Sequence, residues 1–445
     1  MNAFSRRGAC PALSAPMQTG DGLLVRLNPV TGGLAPNLLI RLGESALRHG
    51  NGIMEVTARG SLQIRGLTTE SARLLAAEVD ALGIAVRSGV PVEFGPLAGI
   101  DPQETADPRP LAELVAVAIE EAGLAGRLGP KVSVIVDGGG QLTMDAVTAD
   151  VRLSAVRTTF GVQWSVAVAG GAGSAKPLTT VDADAARDIA VAALRMVAEK
   201  GREAHTRDLS ERQLASLAGW HSFALPSVRT GIGAVDGHRL PIGLFNLGTT
   251  QALGIALPFG SMPAQNLIEL AAQAVNLGAT EIRLAPGRAL LFLGLSAPSS
   301  LQSSAATLGF VTSPTDVRTR IAACPGTPAC ASGRIATRAI AETVAKQSAD
   351  LLDASLILHI SGCAKGCAHP GPAALTLVGD ENGAGLVVDG TAKALPAGYR
   401  PGYDAARGVA GIAMAVHDAR HPGETIAACL ARLGAADIAE LYRRN

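Results

Sequence analysis

Cys324, Cys330, Cys363 and Cys367 are four of the six cysteines in the chain, and they fall in two pairs spaced C-x5-C and C-x3-C. Thiolates used this sparingly, and clustered in this way, hold a soft metal centre rather than fill a core. A structural zinc site usually pairs its cysteines as C-x2-4-C, which the first pair does not match. Disulfides need an oxidising compartment. The opening segment carries Ser5-Arg6-Arg7 with no apolar run behind it, so it does not read as an export signal. Cys10 and Cys429 stand alone and read as buried, inert thiols. The favoured occupant of the other four is a cubane 4Fe-4S cluster.

The residues between the pairs explain why the pairs should meet. Ser332 to Gln347 places Ile335, Ala336, Ala339, Ile340 and Val344 on one face and Arg338, Glu342 and Lys346 on the other, the period of a helix. At about 1.5 Å per residue this helix runs roughly 25 Å away from Cys330. The β-rich segment Ser355 to Ile360, at about 3.3 Å per residue, runs roughly 20 Å back. Cys330 is expected just ahead of the helix, where free N–H groups favour a thiolate. Gly326, Gly362 and Gly366 leave room for the backbone to wrap a bulky centre.

A C-x5-C pair followed by a C-x3-C pair on a helix–strand unit is similar to the cluster motif of the siroheme-dependent nitrite and sulfite reductases. In that family the last cysteine, here Cys367, both holds the cluster and touches the tetrapyrrole iron. The wording ACPGTPACASG with HISGCAKGCAHPGPA resembles the branch of the family that serves aerobic cobalamin biosynthesis. The resemblance implies a tetrapyrrole substrate, precorrin-3A, and an O2-dependent monooxygenase that hydroxylates C20 and closes a γ-lactone. It also implies reducing equivalents from NAD(P)H or NADH through an electron-donor protein, and either a siroheme or a non-heme iron beside the cluster. The alternatives are a siroheme-dependent assimilatory nitrite or sulfite reductase, and a zinc-organised binding protein without catalysis.

The 445 residues suffice for several domains and a large core. Lys+Arg and Asp+Glu are both 38, which removes the electrostatic basis for non-specific nucleic-acid binding over the whole surface. No apolar run reaches membrane-spanning length, and a cytoplasmic protein is expected.

Periodicity divides the chain. Strand Leu23–Leu27, helix Pro36–His49, strand Ile53–Thr57, strand Ser61–Arg65 and helix Thr69–Leu82 are followed, more than 200 residues on, by a second copy of most of that order. The second copy has strand Gln251–Ala256, helix Pro263–Leu277, strand Glu281–Leu284 and strand Ala289–Gly294. The expectation is an α+β fold with a duplicated architecture, two ferredoxin-like half-modules (18–90 and 216–300) alternating with two larger αβ lobes (91–215 and 301–395). A disordered lead (1–17) and a helical tail of two helices (396–445) complete it. No cysteine lies between Cys10 and Cys324, so only the second lobe can hold a cluster.

TARGSLQIRG carries Thr57, Arg59, Gln63, Arg65 and Gly66, which resemble the family pattern T-x-R-Q-x-x-Q-x-[HRK]-G, with Gly60 in place of its first glutamine. The resemblance makes Arg59, Gln63, Arg65 and Lys131 the residues that grip the tetrapyrrole, Arg59 and Lys131 without an ion-pair partner nearby in sequence. Ser133 stands where the reductases have a second anion-binding lysine, and the family arginine before PLAG is missing, the nearest arginine, Arg87, lying further upstream. His359 reads as a hydrogen-bonded core residue, and His369 as a candidate catalytic donor or iron ligand.

Overall fold

The computed structural model describes residues 11–30, 32–219 and 239–444. Cys10, and residues 220–238 near the expected opening of the second half-module, lie outside that range.

The first half-module contains β1 (Met17–Thr19), β2 (Gly22–Leu27), β3 (Gly33–Leu34), α1 (Pro36–His49), β4 (Ile53–Val56), β5 (Leu62–Leu67) and α2 (Thr69–Ala81). α1 begins and ends where the apolar period does, with proline at its first position and Gly50 after its end. α2 is opened by a Thr68/Ser71 capping box. The first lobe contains β6 (Val92–Phe94), α3 (Arg109–Glu121), β7 (Val134–Asp137), β8 (Ala149–Thr158), β9 (Gly161–Gly170), β10 (Lys176–Val181), α4 (Ala183–Lys200) and α5 (Glu211–Gly219).

The second half-module contributes β11 (Gly243–Asn246), β12 (Gln251–Ala256), β13 (Ser261–Pro263), α6 (Ala264–Asn276), β14 (Glu281–Ala285), β15 (Ala289–Leu293) and α7 (Pro298–Thr307). The second lobe has β16 (Ile321–Ala323), α8 (Thr337–Gln347), β17 (Leu358–Ser361), β18 (Ala373–Asp380), β19 (Gly383–Gly390) and β20 (Gly398–Arg400). Three helices follow, α9 (Ala405–Ala419), α10 (Ile426–Leu433) and α11 (Ala435–Arg444).

Each unit has a five-stranded sheet. The two half-modules trade an edge strand: β13 of the second pairs with β4 of the first, and β3 of the first pairs with β14 of the second. One apolar core therefore runs through both, including Leu42, Ile64, Leu270 and Phe292. α1 and α6 lie together at its centre, where Gly43 admits Ile268. This sharing makes them one body rather than two.

The lobes repeat each other. In the first, β6, β7 and β8 are parallel and β9 and β10 return antiparallel. In the second, β16, β17 and β18 are parallel and β19 and β20 return antiparallel. The expected boundary at 395 has no physical counterpart, because β20 belongs to the lobe sheet and Val409, Ile412, Leu430 and Tyr442 fill the lobe core. The tail also holds three helices, since Gly434, at positive φ, separates α10 from α11. The lead is not disordered throughout: Leu13 packs on the central core and Met17 opens β1. Among the described residues no helix is long and apolar enough to cross a membrane.

Candidate functional site

Two neighbouring parallel strands bring the cysteine pairs together. β16 and β17 run side by side with Ala323 opposite Ile360, so both end on the same edge of the sheet. Cys324 follows the first strand, and Gly362-Cys363 follow the second. The Gly362 N–H donates to the Cys324 Sγ at 3.1 Å. Three glycine backbones form the floor: a Cβ at Gly362 would meet Gly333 Cα at 3.1 Å, Gly326 Cα at 3.2 Å and Cys324 Sγ at 3.5 Å. Cys324 is buried, Cys330 and Cys363 are half-buried, and Cys367 is exposed. Burial, and after it the Cys324, Cys363 and Cys330 thiols, push the Cys367 thiol above its ordinary value. The four sulfurs thus share one electrostatic neighbourhood, and thiols that repel one another's ionisation are brought into balance by a soft cation.

Among the described residues no group of three or more His, Cys, Asp or Glu side chains stands close enough to hold a single metal ion. The fit to a larger soft-metal centre rests on the all-thiol donor set and the side-chain-free floor. These two features match what an iron–sulfur cluster needs, with Cys324, Cys330, Cys363 and Cys367 as the residues that could hold it.

The expected helix dipole behind Cys330 is absent from its place. α8 starts at Thr337, several residues later than the apolar pattern suggested, because Thr327 and Thr337 both donate backbone N–H groups to the Ile335 carbonyl and hold that segment in a turn. The Cys330 N–H donates to Gly326 O at 2.7 Å instead.

Arg65 explains how the first half-module grips this loop. The residue is 3 % exposed, and its guanidinium donates to Asp21 at 2.9 and 3.0 Å and to Glu55 at 3.2 Å and reaches the Ala329 carbonyl beside Cys330. Burial alone would raise the Asp21 carboxyl, but the hydrogen bonds from Arg65 and Thr19 outweigh it and hold Asp21 below its ordinary value. Gly20 lies against the same loop, where a Cβ would stand 2.2 Å from Pro328 O. Gln63 shares the strand face with Arg65, as alternation requires. It is 6 % exposed and accepts from Arg26 at 3.4 Å. Arg65 is therefore corrected from a ligand-gripping residue to a buried strut, since its donors are already committed inside the protein, and Gln63 is buried beside it.

Arg59, with no ion-pair partner nearby in sequence, has one ion pair and two further hydrogen-bond partners in the fold. It pairs with Glu93 of β6, donates to Ser133 Oγ at 3.1 Å and to Thr148 O at 2.7 Å. Its side chain remains about a third exposed, so one edge is open. Lys131 is exposed and forms no ion pair or hydrogen bond among the described residues. Arg87, upstream of the place of the missing family arginine, donates to Pro29 O and Val92 O and lies over the Phe94 ring.

His359 contradicts its expected hydrogen bonding. It is 0 % exposed on β17, and neither ring nitrogen has a partner. Burial, then the His369 ring and the Arg288 charge, push it down to about 4, so it is neutral. His369 lies edge-on at 5.8 Å between ring centroids and donates from Nε2 to Pro372 O at 3.1 Å. Cys429 is buried as expected, and burial raises its thiol above the ordinary value. Sequence reasoning missed Glu93, Glu55, Arg338 and Arg288. The one signal available was the alignment of the turn TARGS with its repeat APGRA, which sets Arg288 against Gly60.

Paired half-modules, twin lobes and a four-thiol loop on the second lobe define the nitrite/sulfite reductase class of fold. The family model described as Nitrite/Sulfite reductase ferredoxin-like half domain matches residues 15–82. The solved structure of Mycobacterium tuberculosis NirA protein is similar at a TM-score of 0.72 and 18 % identity, covering 94 % of this chain and 84 % of that one. A ferredoxin–nitrite reductase of Synechococcus elongatus is 24 % identical over 87 % of this chain and 82 % of its own. A precorrin-3B synthase from Sinorhizobium sp is 40 % identical over 100 % of this chain and 96 % of its own. The chain belongs to the precorrin-3B synthase family, a branch of the nitrite/sulfite reductase-like oxidoreductases, with a role in cobalamin biosynthesis.

Proposed function

We propose that this protein is an iron–sulfur monooxygenase that converts precorrin-3A by hydroxylation at C20 with closure of a γ-lactone from the ring A acetate. One atom of dioxygen enters the macrocycle as the C20 hydroxyl and the other leaves as water. That consumes two electrons and one added proton when NAD(P)H is the source, passed on by a donor protein or taken directly from NADH. The retained oxygen adds across the double bond between C20 and the neighbouring ring carbon; the acetate carboxyl then forms its C–O bond to that neighbour as the neighbour's bond to the added oxygen breaks, and the proton the carboxyl loses goes to the oxygen left on C20. Cys324, Cys330, Cys363 and Cys367 would hold a 4Fe-4S cluster, and Cys367 would also be the residue that meets a siroheme or non-heme iron; the chemistry such a centre would supply is single-electron transfer.

The observation that carries this reading over anion reduction is the state of Arg59. In the reductases it resembles, that arginine faces the small anion together with two lysines. Here Ser133 replaces one lysine, and Arg59 is neutralised by Glu93. Paired with Glu93, Arg59 grips a small anion poorly, while Lys131, exposed and without an ion pair among the described residues, suits a carboxylate of a large substrate. His369, held by Pro372 O, is the candidate proton donor near the cluster.

Anaerobically purified protein incubated with precorrin-3A, reductant and 18O2 should yield a product heavier by one labelled oxygen. Metal analysis and absorption of the same sample separate the alternatives. Iron–sulfur absorption with siroheme bands and rapid sulfite or nitrite reduction would establish the siroheme reductase that the 24 % identical relative suggests. Zinc without colour would establish neither.

A further inference from the structure

At the starting edge of β7 and β8 the first lobe holds a buried carboxylate that the second lobe does without. Strand pairing sets the two lobes in register: Val134 stands beside Val151 in one, and Leu358 beside Leu375 in the other. One residue earlier the first lobe has Ser133 and Asp150, both buried, and the second has Ile357 and Ala374. The lobe sheet therefore forms without a polar group at this edge.

Asp150 ties the loop that follows α4 onto that edge. Its Oδ2 accepts from the Ser133 N–H at 3.2 Å, and its Oδ1 accepts from the Thr206 N–H at 3.0 Å. The Thr206 hydroxyl donates to the Asp150 carbonyl at 2.7 Å. These bonds already fasten the loop, yet one more group is aimed at the same carboxylate, His205, whose Nδ1 lies 3.0 Å from Oδ1. A carboxylate ringed by donors only accepts, so Nδ1 carries the hydrogen of the neutral ring and Nε2 keeps its lone pair. Nε2 has no partner among the described residues and is not enclosed, the His205 side chain being 21 % exposed. An imidazole oriented through one nitrogen and open at the other takes up and releases a proton at a fixed point.

Its nearest charged surroundings on the substrate side are cationic. Ser133, bonded to Asp150 through its N–H, accepts from Arg59 through its Oγ at 3.1 Å. Lys131 stands two residues before Ser133, exposed and without an ion pair among the described residues. The other charges of the packed elements are committed or face solvent. Asp208 accepts the His205 backbone N–H, Arg202 reaches Gly126 O, and Arg152 of β8 donates to Met144 O and Val147 O. Arg127, Glu199, Lys200, Glu203 and Arg207 are exposed, and β9 carries no charged residue.

We propose that His205, held by Asp150, is a proton-coupled carboxylate contact of the substrate site. On binding, Nε2 takes one proton from water, and the imidazolium N–H donates to an acidic side chain of the macrocycle beside Lys131. This rests on the tetrapyrrole reading above, which assigns Lys131 to the substrate. The neutral ring turns a lone pair toward a carboxylate and repels it. The charged ring offers a charge-assisted hydrogen bond, and Asp150 behind it balances the new charge. Substrate affinity is thereby linked to proton uptake.

The test titrates the full chain, with its iron, with the octacarboxylate uroporphyrin III. Calorimetry in phosphate and in Tris, whose heats of ionisation differ, counts the protons exchanged at about pH 7.5, where an ordinary histidine is mostly neutral. The wild type should take up more than about half a proton per porphyrin bound, and should bind at least about fivefold more tightly at about pH 6. His205→Gln keeps a donor for Asp150, so its iron content and melting temperature should match wild type. It should bind about tenfold more weakly at about pH 6 and lose the proton uptake. A histidine that only fastened the loop would leave the uptake the same in both proteins. Equal uptake by wild type and His205→Gln overturns the contact while the tetrapyrrole reading stands. Absence of porphyrin binding by the wild type overturns both. If His205→Gln does not fold, the wild type decides alone, and zero uptake at about pH 7.5 overturns the contact.

Discussion

Arg338 of the cluster lobe and Glu55 of the first half-module are joined by an Nη2–Oε1 contact of 2.6 Å, and the other oxygen of Glu55 receives Arg65 at 3.2 Å. One buried carboxylate therefore balances two arginines from opposite sides of the boundary. Between them, Glu55 and Arg65 hold β4 and β5 of the half-module to α8 and to the loop that carries Cys330.

Glu55→Ala should be strongly destabilising for this reason. Breaking a buried ion pair by removing one partner costs about 3–5 kcal/mol, because the remaining charge stays desolvated. Chemical denaturation should show the loss, and iron retention on gel filtration should fall with it. Wild-type stability in this variant would show that the two arginines find other partners.

Cys324→Ser, Cys330→Ser, Cys363→Ser and Cys367→Ser should each lose most of the bound iron and loosen the second lobe, since metal binding and folding are coupled. Chelation of iron from the wild type should produce the same loss of thermal stability. Cys429→Ser, in the lobe core away from the four thiols, should keep its iron. Full iron content in any of the first three variants would remove the cluster assignment.

Arg59 and Lys131 should separate. Arg59→Ala deletes the contacts to Glu93, Ser133 and Thr148, and should cost about 1–2 kcal/mol of stability, reduced by its partial exposure. Lys131→Ala should leave the melting temperature unchanged while weakening tetrapyrrole binding, by a factor that shrinks in high salt. Equal binding by Lys131→Ala and wild type at low salt would exclude Lys131 from the site.

Glu104 introduces a pH dependence remote from the thiols. Burial, against the Gly99 N–H and with the nearby charges of Asp107 and Asp101, raises its carboxyl from an ordinary 4.5 to about 7. The fold thus favours the protonated form. Its stabilising contribution is complete below about pH 4.5 and is lost as pH rises through 7. His359, pushed down, acts in the opposite sense, with stability lost as pH falls from 6.5 toward 4. The comparison must therefore be made against a variant: the difference in melting temperature between Glu104→Gln and wild type should grow in favour of the variant from pH 5 to pH 8. A constant difference would show that Glu104 titrates normally.

The sequence by itself determined the elements whose cause is local. The period of α1 and its flanking Pro36 and Gly50 set its ends, and the repeated turn and strand order revealed the duplication. The cysteine spacing marked the thiol loop, because backbone geometry between two nearby pairs leaves few choices. The charged residues were a different matter. Arg59 meets Glu93, Arg65 meets Asp21, Glu55 and Ala329, and Arg338 meets Glu55, through separations set by sheet register and by the packing of modules on lobes. No periodicity records such pairs, so the fork expected of Gln63 and Arg65 could not be told from the buried strut it is. The start of α8 was decided by the hydrogen bonds converging on Ile335, and the exchange of β3 and β13 by two apolar faces that must close on each other. Only the tertiary structure decided which arginines are neutralised and which, like Arg288, stand without a counter-ion, because the free energy of a buried charge depends on what surrounds it in space.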